Sequence, residues 1–177
     1  MDSGLSFHVD ATKGSSRRLG VKIEIDGPFN ENILELRFPR WVPGSYFIRE
    51  PIQHMSDLSA TCEGEEIKIT RIDVDGARIT GIRNSKSVVI TYRLLAAEMT
   101  CRANHLDETH VHIMPPYTWM MPTRGIDSDR INGTHKVTLD TPKGWETATQ
   151  LTGKEGEWKA EGRDEFLDAI MESNANP

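Results

Sequence analysis

The sequence predicts an all-β domain, an antiparallel β-sandwich or saddle with one short C-terminal helix. Apolar and polar residues alternate along most of the chain, which is typical of strands with one buried face. Turn sequences rich in Gly, Asn and Asp separate these runs. Helical spacing of apolar residues is confined to one segment near the C terminus. Short strands at close spacing favour antiparallel pairing in two layers.

The alternating runs define the predicted strands. Their apolar positions are Leu19, Val21, Ile23 and Ile25; Leu34, Leu36 and Phe38; Leu58, Ala60 and Cys62; Ile67 and Ile69; Ile72 and Val74; Val88, Ile90, Tyr92 and Leu94; Val111 and Ile113; and Val137 and Leu139. The predicted turns are DGPFNEN (26–32), EGEE (63–66), DGAR (75–78), RNSKS (83–87) and NGT (132–134).

The C-terminal helix is predicted over residues 163–172. There Phe166, Leu167, Ile170 and Met171 fall on one side at helical spacing. Residues 1–172 are interpreted as a single β domain, because no repeat or linker interrupts them. The last five residues, 173–177, offer no apolar side chains for the core and are expected to fray.

The net charge and the hydropathy of the chain argue against two classes of binding partner, nucleic acids and membranes. The net charge of −6 opposes binding to a nucleic-acid backbone. No run approaches the roughly 18 apolar residues of a membrane-spanning helix, and the N-terminal residues lack the order of a signal peptide. The chain is therefore expected to bind neither nucleic acid nor membrane and to be cytoplasmic.

Histidines and carboxylates suggest one weak metal site. His105 and His110 are five residues apart in HLDETH, whereas the zinc motif HExxH places its histidines four apart on one helical face. On a strand, Glu108, His110 and His112 would share a face and could ligate one metal. The same alternation also describes an ordinary solvated face, so both interpretations stay open.

Motifs for other chemistry are missing. The sequence contains no GxSxG, GxGxxG or GxxxxGK[ST]. The tryptophans at 119, 145 and 158 could either form a sugar-binding platform or fill the core. No catalytic residue and no cofactor is predicted for this chain.

Four segments resemble one protein family. FPRWVPGSYFIREP (38–51) is similar to the Trp-x-Pro-Gly-Ser-Tyr signature in the N-terminal domain of the glycyl aminopeptidase family of zinc metallopeptidases. Further similar stretches follow in the same order at 88–113, 137–151 and 163–172. The chain departs from the family pattern after LDET, where His112, Ile113 and Met114 replace an aromatic pair and Asn.

The resemblance implies a non-catalytic domain. In the family, this β domain precedes a thermolysin-like domain that carries zinc and HExxH, and then a PDZ domain. The parent would be a zinc metallo-aminopeptidase, whereas this chain alone is expected to be inactive. Its implied partners are the catalytic domain of the same parent and a peptide substrate at the domain boundary. The alternative is a stand-alone binding module for protein or glycan.

The signature segment itself admits two interpretations. Pro43 and Gly44 favour a rigid corner between two strands, which Trp41 and Tyr46 could anchor. Alternatively, Trp41, Tyr46 and Arg49 contact the substrate or the neighbouring domain.

Overall fold

The computed structural model describes residues 2–41, 46–48, 50–154 and 156–175. The strands are β1 (Asp2–Asp10), β2 (Arg18–Asp26), β3 (Ile33–Arg37), β4 (Met55–Cys62), β5 (Glu65–Ile67), β6 (Ile69–Arg71), β7 (Gly76–Thr80), β8 (Ser87–Leu95), β9 (His105–Leu106), β10 (His110–Ile113), β11 (Met121–Arg124), β12 (Thr134–Asp140), β13 (Trp145–Thr149), β14 (Thr152–Lys154), β15 (Glu157–Glu161) and β16 (Met171–Ala175). The α-helices are α1 (Pro115–Thr118), α2 (Ser128–Ile131) and α3 (Arg163–Asp168), with 3₁₀ turns at Gly14–Ser16 and Pro51–His54. Among these ranges, no helix has the length and apolar character needed to cross a membrane.

The largest sheet has the strand order β14-β15-β12-β1-β2-β8-β4-β5. Strand β1 lies in its middle, antiparallel to β2 and parallel to β12. The parallel β1–β12 pair corrects the purely antiparallel prediction. Phe7 of β1 is directly opposite Val137 on one side and Ile23 on the other. The centre of the sheet therefore joins the first strand to one more than a hundred residues later.

One face of this sheet is apolar and buried, and the other faces solvent. In β2, Leu19, Val21, Ile23 and Ile25 are at most 3% exposed, whereas the residues between them are exposed or half-buried. Strand β8 repeats the pattern with Val88, Ile90, Tyr92 and Leu94. The predicted alternation is confirmed in both strands. A buried face of this size needs a second layer.

Two smaller sheets supply that layer. Their strand orders are β13-β16-β10-β9 and β11-β3-β7-β6. Leu36 of β3 and Val111 of β10 are fully buried in the same apolar cluster as the inner face of the large sheet. Phe38 meets Tyr92 across the layers with ring centroids 5.9 Å apart. The predicted all-β class, with a short helix near the C terminus, is confirmed.

The C-terminal segment differs from its prediction. Helix α3 ends at Asp168, and residues 171–175 form β16, which lies between β10 and β13. Met171 and Ser173 are buried while Ile170 is 38% exposed, so the true period there is two. The predicted helix to 172 and the predicted fraying of residues 173–175 are therefore wrong; residues 176–177 lie outside the described ranges.

Other element predictions need smaller corrections. Strand β1 was not predicted, although Leu5, Phe7 and Val9 alternate in it and are buried. Residues 72–74 form a bend rather than a strand, and the predicted turn at 75–78 overlaps the start of β7.

Candidate functional site

A short segment presents large apolar side chains to solvent. Trp41 is 59% exposed, Tyr46 93%, Phe47 68% and Ile48 58%. We name these four residues the exposed aromatic segment. Single exposed apolar residues are common on protein surfaces, but a cluster of them within one segment marks an interaction surface.

Buried residues fix both ends of the exposed aromatic segment. Phe38, which precedes it, is 1% exposed, and its backbone N–H donates to the carbonyl of Asp75 at 2.9 Å. Ile52, which follows it in the 3₁₀ turn Pro51–His54, is 3% exposed. The described residues of the segment are thus exposed between two buried residues, Phe38 and Ile52.

An ionic cluster lies at the base of the segment. The Arg37 guanidinium donates to Asp73 and, at 2.8 Å, to Oδ1 of Asp75, while Arg40 Nε lies 3.1 Å from Oδ2 of Asp75. Burial and the neighbouring Asp73 raise the pKa of Asp75. Hydrogen bonds from Asp75 and Arg37 lower the pKa of Asp73. Because Arg40 directly precedes Trp41, this cluster holds the root of the segment in place.

The predicted contact residues can be located in part. Trp41 and Tyr46 are largely exposed to solvent, and the predicted corner at Pro43 and Gly44 lies outside the described ranges. Arg49 and residues 42–45 lie outside the described ranges. The assignment of Trp41, Tyr46 and Arg49 to a substrate or interdomain contact stays a prediction.

A second polar cluster lies at the turn between β9 and β10. His105 is 2% exposed, and its Nε2 lies 3.0 Å from Oδ2 of Asp107. His110 places Nδ1 3.7 Å from Oδ1 of the same carboxylate. The two imidazole rings stack with centroids 4.6 Å apart. We name His105, Asp107 and His110 the β9–β10 cluster.

Local hydrogen bonds hold the carboxylate of this cluster. Oδ1 of Asp107 accepts from the backbone N–H of Thr109 at 2.7 Å, from the Thr109 hydroxyl at 2.6 Å and from the backbone N–H of His110 at 2.9 Å. These bonds, together with His105, lower the pKa of Asp107. The group is therefore an oriented carboxylate at neutral pH.

The predicted metal residues separate in space. His110 belongs to the β9–β10 cluster, whereas Glu108 is an exposed turn residue outside β10. His112 is 7% exposed, and its Nδ1 pairs with the Glu172 carboxylate on β16. Within the described residues, geometry selects His105, Asp107 and His110 as a group able to hold a metal. His105 and Asp107 were missed because the prediction treated residue 108 as part of a strand.

The tryptophans do not form a joint sugar platform. Trp119 is 1% exposed and Trp158 is 6% exposed, because both fill the core. Trp145 is half-buried. Three ring faces are therefore not available together for stacking on a sugar.

The family match defines the class of protein, the N-terminal domain of a peptidase. More particularly, the chain belongs to the Peptidase M61 N-terminal domain family, whose model matches residues 6–172. The resemblance seen in the sequence is thus confirmed. Among curated proteins, none matches this sequence.

Solved structures share the fold. An aminopeptidase N family protein from Idiomarina loihiensis superposes with a TM-score of 0.85 at 20% identity, over 96% of this chain and 29% of that chain. An M1 zinc metallopeptidase from Deinococcus radiodurans superposes with a TM-score of 0.55 at 10% identity, over 96% of this chain and 41% of that chain. Yeast LTA4 hydrolase in complex with bestatin superposes with a TM-score of 0.52 at 11% identity, over 96% of this chain and 28% of that chain. The chain thus spans less than half the length of each of these neighbours.

Proposed function

We propose that this chain is the non-catalytic N-terminal β domain of a glycyl-aminopeptidase-type zinc metallopeptidase, and that it supports the catalytic domain and shapes one wall of the peptide cleft. The exposed aromatic segment is the observation that carries this proposal. Four large apolar side chains on a segment fixed at both ends form a surface suited to burial against a partner. The partner that the family places beside this domain is the catalytic domain.

The chemistry of peptide hydrolysis belongs to that partner. A zinc aminopeptidase needs a metal-bound water and a glutamate base. In the described residues, His105 and His110 flank a turn instead of sharing a helical face, and Glu108 is an exposed residue of that turn. These residues do not fit a catalytic zinc of the HExxH type. We therefore assign no hydrolytic step to this chain.

The ionic cluster at the root of the segment supports the same role. Arg37 and Arg40 both bind Asp75, whose side chain is 3% exposed. A buried carboxylate held by two guanidinium groups fixes the backbone from which Trp41 projects. A contact residue on a fixed root loses less conformational entropy when a partner binds. The segment is thus prepared for a specific interface.

The test measures association with the rest of the parent protein. The polypeptide encoded after this domain in the same reading frame is expressed separately and mixed with the purified chain. The double variant Trp41→Ser, Tyr46→Ser should weaken association more than about tenfold, because interface aromatics often contribute over about 1 kcal/mol each. Isothermal titration calorimetry gives the affinities.

A matched control is Met99→Ser. Met99 is 81% exposed and apolar but lies outside the exposed aromatic segment, so its replacement should leave association unchanged. All variants should keep the free energy of unfolding within about 0.5 kcal/mol of the wild type, since exposed side chains contribute little to folding. Unchanged association in the double variant would contradict the interdomain role.

The alternative is a stand-alone binding module, which the same exposed surface would also suit. A reading frame without an HExxH sequence after this domain would favour that alternative and contradict the proposal. Aminopeptidase turnover by the purified chain would contradict both.

A further inference from the structure

We propose that the β9–β10 cluster binds one divalent transition-metal ion of the zinc class, through His105, Asp107 and His110. The site consists of residues of this chain only. The ion would fasten the β9–β10 turn to the buried strand residue His105.

The donor types and spacings suit such an ion. Two imidazoles and one carboxylate are common ligands of zinc in proteins. With metal–ligand bonds of about 2.0–2.1 Å, two donors at neighbouring corners of a tetrahedron lie roughly 3.3 Å apart. His105 Nε2 and Asp107 Oδ2 are 3.0 Å apart, close to that spacing. One atom from each residue lies within 4.8 Å of the others.

The carboxylate is oriented in advance. Three donors from the turn occupy Oδ1 of Asp107, which leaves Oδ2 directed at His105. Hydrogen bonds to a ligating carboxylate fix its direction in the way known for ligands of metal sites. The side chain of Asp107 is 26% exposed and that of His110 is 32% exposed. An ion can therefore reach the cluster from solvent, and His110 has space to rotate towards it.

His105 would be the buried ligand of this site. Its side chain is 2% exposed, and its Nδ1 is buried with no hydrogen-bond partner. Its bonded nitrogen is the one that faces Asp107. A metal would bind at this nitrogen, in place of its hydrogen bond to Asp107, and Nδ1 on the other side of the ring would take no part.

The experiment is zinc titration of the purified, tag-free chain by calorimetry, with thermal unfolding followed in parallel. The wild type should bind one Zn²⁺ per chain, and its unfolding midpoint should rise with zinc, because a ligand of the native state stabilises it. His110→Ala should weaken the affinity more than about tenfold, since even partners of metal ligands contribute 10–100-fold. Circular dichroism checks that this half-exposed position tolerates the change.

His8→Ala is the matched control. His8 Nε2 lies 2.8 Å from Asp140 Oδ2, and its side chain is 28% exposed. It is thus an imidazole–carboxylate pair that, among the described residues, does not belong to a metal-compatible group of three. This variant should bind zinc like the wild type. Glu108→Gln should also keep the zinc affinity of the wild type, whereas Asp107→Asn should lower it. Absence of stoichiometric binding by the wild type, equal affinity in His110→Ala, or loss with Glu108→Gln alone would overturn the proposal.

Discussion

At the scale of single residues, His135 is a fully buried imidazole. Its Nε2 donates to the carbonyl of Ile131 at 2.9 Å, and its Nδ1 lies 2.9 Å from the Ser3 hydroxyl. The rings of Phe7 and Phe166 pack against it. Desolvation lowers the pKa of His135, although the bond to Ile131 opposes this shift. The residue is therefore neutral in the folded protein at neutral pH.

This burial makes stability depend on pH. Because the folded-state pKa lies below the unfolded value of about 6.5, the unfolded chain binds more protons as the pH falls below that value. The contribution of His135 to stability is thus complete above pH 6.5 and is lost as the pH falls through the folded-state pKa. The free energy of unfolding, measured by urea denaturation above and below pH 6.5, should fall more steeply with decreasing pH for the wild type than for His135→Gln. Equal pH dependence in both proteins would contradict this prediction.

Side-chain orientation around the β9–β10 turn shows what sequence could and could not reveal. The prediction that His110 and His112 share a strand agrees with β10. Glu108 was included because alternation was extended through the turn. The sequence Asp107-Glu108-Thr109 contains the missing signal, since an aspartate often accepts the N–H two residues later and so ends regular pairing. The proximity of His105 depends on how β9 pairs with β10, which local spacing does not specify.

At the scale of elements, α3 is a six-residue helix held by one side chain. Gly162 precedes it with φ of +95°, a conformation that glycine adopts readily. Phe166 is 1% exposed and packs on Phe7 and Trp119, with ring centroids 4.2 and 5.6 Å apart. A helix this short has little stability of its own. Its presence depends on this aromatic cluster.

Replacement of the Phe166 ring should therefore destabilise the protein strongly. Phe166→Ala should lower the free energy of unfolding by about 3–5 kcal/mol, as expected for loss of a buried aromatic ring and the cavity left behind. Leu167→Ala, at the half-buried neighbouring position, should cost clearly less. Chemical denaturation of the three proteins measures both values. Similar losses for the two variants would show that α3 is not held mainly by Phe166.

The elements also differ in how readily the sequence predicts them. Strands β2 and β8 were predicted because burial of one face forces long alternation of apolar and polar residues. The segment 169–175 was misassigned because Ile170 and Met171 also satisfy helical spacing. Pairing of β16 with β10 and β13 decides in favour of a strand. Such long-range pairing overrides local preference in short segments.

At the scale of the whole molecule, the parallel pair β1–β12 connects positions more than a hundred residues apart. Ser6 is opposite Lys136, and Asp10 is opposite Asp140. No local pattern specifies that partner, which explains why the sequence predicted only antiparallel neighbours. The central place of β1 also means that each of its edges needs a strand from a different part of the chain.

Removal of β12 should therefore disrupt the large sheet. A chain that ends at Gly133 leaves the second edge of β1 unpaired, and exposed strand edges associate with one another. It should form aggregates in gel filtration and light scattering. A chain that ends at Ala175 keeps all the described strands and serves as the control. A monomeric, cooperatively folding product ending at Gly133 would contradict this expectation.

The same arrangement has a consequence for synthesis of the protein in the cell. Ribosomes add roughly 5–20 residues per second, so delivery of β12 follows that of β1 by on the order of ten seconds. During this interval the nascent chain carries Phe7 and its neighbours on a strand with one vacant side. During this interval, a chaperone that binds short apolar stretches could bind the segment from Leu5 to Val9.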